Sequence, residues 1–366
     1  MKAGLVTADY FPNVGGVAAH VVGLGEAIAQ AGHETHVITL PLADERKRIS
    51  QLGSVTVHRP RIPKAKPFYS WLLHYWLKQF LKTTHLDILH VHGLRPLEAT
   101  RNLGVPVIFT NHTSGFLKRI SKGEHEHKKI CKRLAHIQHV LAPSHELADT
   151  IQQIGYKGPV DYIPNGVDIN RFCPDTSAFR QQHGIKQDEI VILLARRLVE
   201  KNGVIIFAEA VTRLKELSIR IVFAGDGPER GKIEDLLKFA GMHEKAIFLG
   251  NIPNNTMPEV YRMADISVLP SFMEATSITG LESMACGLPL VGTTVGGIPS
   301  LITENSNGYL VPPGDPVTLA DAIRKLVQDS KLRHDMGIAA RQKVINEFSW
   351  QTIAQRTIDI YKQHTI

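Results

Sequence analysis

The chain lacks what an exported or membrane-spanning protein needs. It has three cysteines, Cys131, Cys173 and Cys286, an odd number without close spacing. That argues against a disulfide framework and for a reducing cytoplasm. No apolar run approaches the roughly 20 residues of a membrane-spanning helix. The first apolar run meets a charge at Asp9, too early for a signal peptide, and reads as a buried strand. An even spread of charge is missing too. Residues 171–366 carry 22 basic and 22 acidic side chains, so the whole formal excess of +7 lies in residues 1–170, with 20 Lys and Arg against 13 Asp and Glu. Such asymmetry points to an anionic partner or to charge on solvated helices. No nucleic-acid-binding motif accompanies it.

What is present is an alternation of strand-like and helix-like stretches over a length sufficient for two domains. Lys2–Thr7 reads as a strand, Val17–Ala31 as a helix stopped at Gly32, and Glu34–Leu40 as the next strand. Adjacent glycines at Gly15 and Gly16, just before the helix, let backbone amides approach a phosphate, although a plain strand-to-helix turn also explains them. Residues 59–82 interleave Arg59, Arg61, Lys64, Lys66, Lys78 and Lys82 with six aromatics. A basic aromatic amphipathic helix can lie at a bilayer interface or pack on a sheet. Strands at Asp87–His92 and Pro106–Thr110 follow, and His112 falls just past the second, where open α/β sheets place ligands. His90 and His92 alternate on a strand and form no chelate by spacing. Strand Val140–Pro143 precedes a helix Glu146–Ile154 capped by Ser144. A tight turn near Asn165-Gly166 and a charge shift place the domain boundary near residue 170.

The second half repeats the pattern. Strand Ile190–Ala195 runs into Arg196–Gly203, where Arg197 and Lys201 flank a strand-to-helix loop and could hold a diphosphate or pair with Glu200. Gly225 to Gly231 looks like a dinucleotide-binding turn. The following strand, however, ends in Gly250-Asn251-Ile252 and lacks the acidic residue that would hold a ribose. Strand Ile266–Leu269 leads into E-A-T-S-I-T-G-L-E-S-M-A-C-G at 274–287, with a helix over Ser283–Cys286 stopped by Gly287 and Pro289, and Leu288–Val291 as the next strand. Glu274 and Glu282 would be about 12 Å apart on one helix and could not share a ligand. One therefore sits in the loop and the other on the helix. Thr276, Ser277 and Thr279 occupy a helix N-terminus, where free amides favour an anion. The site inferred has carboxylates for sugar hydroxyls beside amides for phosphate.

In order along the chain, R-L-V-E-K at 197–201, A-G-D-G-P at 224–228, F-L-G-N-I at 248–252, E-x7-E with M-A-C-G at 274–287, V-G-G-I-P at 295–299 and F-S-W at 348–350 resemble the family 4 retaining glycosyltransferases of GT-B fold. G-G at 15–16, H-V-H at 90–92, S-H-E-L at 144–147 and I-P-N-G-V-D at 163–168 extend the resemblance over essentially the whole chain. It implies two Rossmann-like parallel-sheet domains facing each other across a cleft. The N-terminal domain would take residues 1–170 with 350–366 and the nucleotide-sugar domain 171–349.

By the same resemblance, Glu282 binds the donor ribose and Glu274 faces the sugar. Arg197 and Lys201, with the amides at Gly16 and around Thr276, Ser277, Ile278 and Thr279, hold the diphosphate. Asn251 and Ile252 lie beside the base, and His112 lies at the reaction centre. No D-x-D occurs anywhere, so no metal and no cofactor is expected; a nucleoside-diphosphate sugar, UDP favoured, is the donor substrate. The acceptor, a glycan or a lipid-linked molecule, is unidentified. Contact of the basic N-terminal domain with anionic membrane at the inner face, and no nucleic acid, completes the set of partners. Two positions depart from the family. Ala275-Thr276 replaces a glycine and an aromatic, and Arg196 replaces a glycine. A nucleotide-sugar epimerase and an NAD oxidoreductase are the rival readings.

Overall fold

The run I-V-I-L-L-A at Ile190–Ala195 is apolar on both alternations, the mark of a parallel strand covered on both faces. In the computed structural model, which describes residues 1–12, 15–41, 48–63, 68–112, 116, 119–274 and 277–365, its odd and even residues feed two separate cores. Ile192 and Leu194 pack with Phe207, Phe223 and Ile323, and Val191 and Leu193 pack with Leu281, Met284 and Leu301. All of these are essentially inaccessible, and each contributes roughly 1.5–3 kcal/mol of apolar burial.

The chain divides into two units, Met1–Gly166 with Trp350–Ile366, and Val167–Ser349. The first holds β1 (Lys2–Thr7), β2 (Glu34–Ile38), β3 (Ile49–Leu52), β4 (Val55–His58), β5 (Ile88–His92), β6 (Val107–Thr110), β7 (His139–Ala142) and β8 (Val160–Tyr162). They form a sheet in the order β3-β4-β2-β1-β5-β6-β7-β8, parallel except for β3 against β4. The second unit holds β9 (Ile190–Ala195), β10 (Ile219–Ala224), β11 (Ala246–Gly250), β12 (Ile266–Leu269), β13 (Leu290–Thr293) and β14 (Gly308–Val311). Its sheet runs β11-β10-β9-β12-β13-β14, all parallel. Both sheets are doubly wound. The strand order reverses at β1/β5 in the first unit and at β9/β12 in the second, so the crevice outside the carboxyl ends of those strands is where a ligand belongs.

Two local readings change, and one pair of strands is new. The hairpin β3–β4 is not apparent in the pattern, because β3 is a short, largely exposed edge strand; the alternation of Val55 and Val57 after Gly53 was its only signal. The helix expected over Ser283–Cys286 starts earlier and spans Ile278–Ala285, with Ser277 as its cap. Ile278, Thr279 and Gly280 are weak helix formers, but the cap and burial of this face override propensity. The strand expected at Leu288–Val291 is displaced to β13, because the Leu288 N–H is spent on the Ser283 carbonyl at the helix end. The final helix, Trp350–Lys362, belongs to the first unit. Its Trp350 ring lies against Gly23 and Gly166, where any Cβ would come within 2.4 Å of the indole.

Candidate functional site

In the second unit, the loops after β9 and β12 border the switch point. The β9 loop is held by backbone contacts: Leu198 N–H donates to Asp226 O, and Glu229 N–H to Leu198 O, both at 3.0 Å. This explains the glycines of A-G-D-G-P. A Cβ on Gly225 would lie 2.1 Å from Arg196 O, and one on Gly227 would lie 2.3 Å from Leu198 O. They permit strand-to-loop approach rather than forming a dinucleotide turn. On this clamped loop, Arg197 and Lys201 are exposed, and neither has an ion-pair partner among the described residues. The alternative pairing with Glu200 is not made. Two uncommitted cations on a rigid loop can receive a polyanion at little reorganisation cost.

Across the switch point, Glu274 lies in the segment that follows β12. Its carboxylate is paired with Arg196, whose second terminal nitrogen donates to Ser271 Oγ. The pair is largely enclosed, with 12% and 13% of the two side chains exposed. Gly296, at φ 54°, lets the V-G-G-I-P turn press on Glu274, since a Cβ there would sit 1.5 Å from the Glu274 carbonyl oxygen. Ala275 and Thr276 lie outside the described residues. Ser277 caps the helix by accepting from Gly280 N–H at 3.2 Å, and Thr279 Oγ1 lies 3.2 Å from Ser277 Oγ. The amides of Ile278 and Thr279 therefore lie in the first turn of a capped helix, where the dipole favours an anion.

Glu282 sits one turn further on, buried, and accepts a hydrogen bond from Tyr261 Oη at 2.8 Å. Burial pushes its carboxyl up to about 7, against the lowering effect of the Tyr261 bond and of Arg171. The Tyr261 hydroxyl is itself held well above its usual range, first by burial and then by Glu282. Asn251, exposed, and Ile252, half-buried, follow β11 at the sheet edge. Arg171 donates to both oxygens of Asn254 in that same loop.

The first unit holds the remaining expected residues. Gly15 is the cap position of the helix Gly16–Gln30, in extended backbone and without a side-chain cap. His112 follows β6 and meets two other imidazoles, those of His20 and His92, and His90 packs on His92 behind them. His92 Nδ1 is 2.9 Å from His112 Nε2, and His20 Nδ1 donates to Asn165 Oδ1 at 2.7 Å. His90 reaches Tyr361 Oη and Thr110 Oγ1, each at 2.6 Å. Burial holds His90, His92 and His112 well below the ordinary histidine range and His20 at about 4, so all four rings are neutral.

Four residues of the second-unit site went unassigned in the sequence: Arg171, Tyr261, Ser271 and the partner role of Arg196. Only Arg196 carried a signal, as a charged residue in a position the family fills with glycine. The His20–His92–His112 cluster was equally unmarked, since its members lie 20 or more residues apart.

A doubly wound α/β chain whose second sheet presents two free cations and a capped helix end at its switch point is built to take an anionic ligand there. Residues 175–343 match the family model Glycosyl transferases group 1, and residues 14–171 match Glycosyltransferase Family 4; the chain belongs to the family 4 glycosyltransferases. An uncharacterized glycosyltransferase of Methanocaldococcus jannaschii is 29% identical over 99% of this chain and 98% of its own. The N-acetyl-alpha-D-glucosaminyl L-malate synthase of Bacillus anthracis is 29% identical over 96% of this chain and 94% of its own. The Anabaena protein HepE, solved in complex with UDP, has the same GT-B fold, with a TM-score of 0.80 at 19% identity over 99% of this chain and 100% of that one.

Proposed function

We propose that this glycosyltransferase moves a hexose from a nucleoside-diphosphate sugar, UDP favoured, to an acceptor with retention of configuration and with no metal on the diphosphate. The observation that carries this reading is the pairing of free Arg197 and Lys201 with the capped helix end at Ile278–Thr279. HepE binds UDP and UDP-glucose, which supports the same donor class here. Arg197, Lys201 and the amides of Ser277, Ile278 and Thr279 meet the diphosphate, with Thr276 and the Gly15–Gly16 amides assigned to the same task. Glu282 accepts the ribose hydroxyls, Asn251 and Ile252 flank the base, and Glu274 and His112 meet the sugar. Charge building on the leaving diphosphate is stabilised by these cations and amides. Retention follows from attack on the face the diphosphate leaves, with that phosphate taking the acceptor proton. Replacing Arg197 or Lys201 by Ala is expected to lower kcat by about 10²–10³; unchanged turnover in either variant sinks the diphosphate assignment. Release of free nucleotide and an epimerised sugar without acceptor, seen by nuclear magnetic resonance, would favour the epimerase instead.

A second reading concerns the acceptor. On the helix Phe68–Thr83, Phe68, Trp71 and Tyr75 are 60%, 67% and 58% exposed and share one stripe with exposed Lys78 and Lys82. Aromatics followed by lysines suit an anionic lipid surface. This supports a lipid-linked acceptor and peripheral docking of a cytoplasmic enzyme.

A further inference from the structure

We propose that His92 is a positioning residue that fixes His112 as a hydrogen-bond donor, with its proton on Nδ1. The inference rests on the reading above that His112 meets the donor sugar, and it follows from counting protons in the histidine cluster.

Each neutral imidazole carries one N–H. The 2.9 Å contact between His92 Nδ1 and His112 Nε2 holds one proton, and it belongs to one ring or the other. Suppose it belongs to His112. His92 must then carry its own proton on Nε2. That atom is fully enclosed and has no hydrogen-bond partner among the described residues. The large majority of buried side-chain polar groups are hydrogen-bonded, and a buried N–H left without an acceptor costs its full desolvation penalty. His20 offers no acceptor within bonding distance, and its Nδ1 proton is already spent on Asn165. Suppose instead the proton belongs to His92. Its Nε2 is then a bare lone pair, the more tolerable orphan, and the surrounding rings stay consistent. His112 Nε2 accepts, so the single proton of His112 stands on Nδ1.

The consequence is chemical. A neutral His112 with Nδ1–H donates to an oxygen and cannot serve as a base through that atom. His92 sits at the end of β5 and His20 on the first helix, so the ring is oriented by rigid elements rather than by its own loop.

Nitrogen-15 correlation spectra of histidine-labelled full-length protein read the tautomer directly, without turnover. The expected spectrum shows His112 protonated at Nδ1; protonation at Nε2 overturns the proposal. In the variants, His92→Asn places an amide N–H near the Nδ1 position, whereas His92→Leu removes the donor. The expectation is a 10–100-fold loss of kcat in His92→Leu with donor KM little changed, and recovery to within a few-fold in His92→Asn. Circular dichroism melts identify a variant that fails to fold, and the wild-type spectrum still decides the question. His20, His92 and His112 each bring a ligand atom within 4.8 Å of the others. Stoichiometric zinc in the purified protein would put an ion where the shared proton is assigned and overturn it. If the tautomer is as assigned but His112→Ala turns over normally, the role of His112 in transfer fails, while the His92 contact stands.

Discussion

Glu282 shows how burial sets a pH response at a single residue. Its carboxyl is raised to about 7, so near neutrality it is only partly ionised. The ribose contact proposed for it requires the carboxylate. Donor affinity is therefore expected to weaken as pH falls through about 7, measurable by calorimetry, and Glu282→Gln should flatten that dependence. Tyr261→Phe removes a bond that lowers the Glu282 pKa, so the same midpoint should move to higher pH. The stability sign is opposite to the usual carboxylate case. The folded state holds the proton more tightly than the unfolded chain, so this group's contribution to stability falls as pH rises from about 4.5 to about 7. Arg196 poses a second residue-scale question. It neutralises Glu274 in a nearly enclosed pair. Arg196→Gly leaves that carboxylate unpaired, at a cost of roughly 3–5 kcal/mol in thermal unfolding. It should also change the ratio of kcat/KM between donors that differ in one sugar hydroxyl. Identical ratios would detach Arg196 from sugar choice.

At the scale of elements, turns hold the site by close backbone approach. Gly296 combines φ 54° with a Cβ position 1.5 Å from the Glu274 carbonyl oxygen. Gly296→Ala is expected to destabilise by about 2–3 kcal/mol or more and to disturb the Glu274 loop. Gly32, at φ 86° but with nothing within 4 Å of its Cβ position, should lose only the smaller backbone part on the same change. Denaturant titrations of the two variants compare them directly. The capped helix Ile278–Ala285 shows why its start was misread. Its first turn is made of weak helix formers, and the stabilising contacts are tertiary, with Gly280 packed against Leu269 and Leu301. The β9 span, by contrast, was legible residue by residue, since a doubly covered strand needs apolar side chains at both alternations.

Across the whole molecule, the excess of positive charge is confined to residues 1–170, and the exposed aromatic and lysine stripe of Phe68–Thr83 lies in that same part. No helix among the described residues is long and apolar enough to cross a bilayer. The expectation is retention by vesicles containing anionic lipid at low salt, release as salt rises, and little binding to neutral vesicles. Trp71→Ser with Tyr75→Ser should abolish retention; failure of anionic vesicles to retain the intact protein at low salt removes the docking reading. Hydrophobic periodicity and turn residues are local properties, so the sequence by itself determined the strand and helix alternation and, through its ordered motifs, the glycosyltransferase family with the two Rossmann-like domains that family implies. It also separated Glu274 on a loop from Glu282 on a helix, because helical rise forbids a shared ligand. Only the tertiary structure decided which distant residues meet: Arg196 with Glu274, Tyr261 with Glu282, and the histidines at 20, 92 and 112. Those meetings depend on strand order, which brings β12 beside β9 and β5 beside β1, and no local periodicity encodes that order.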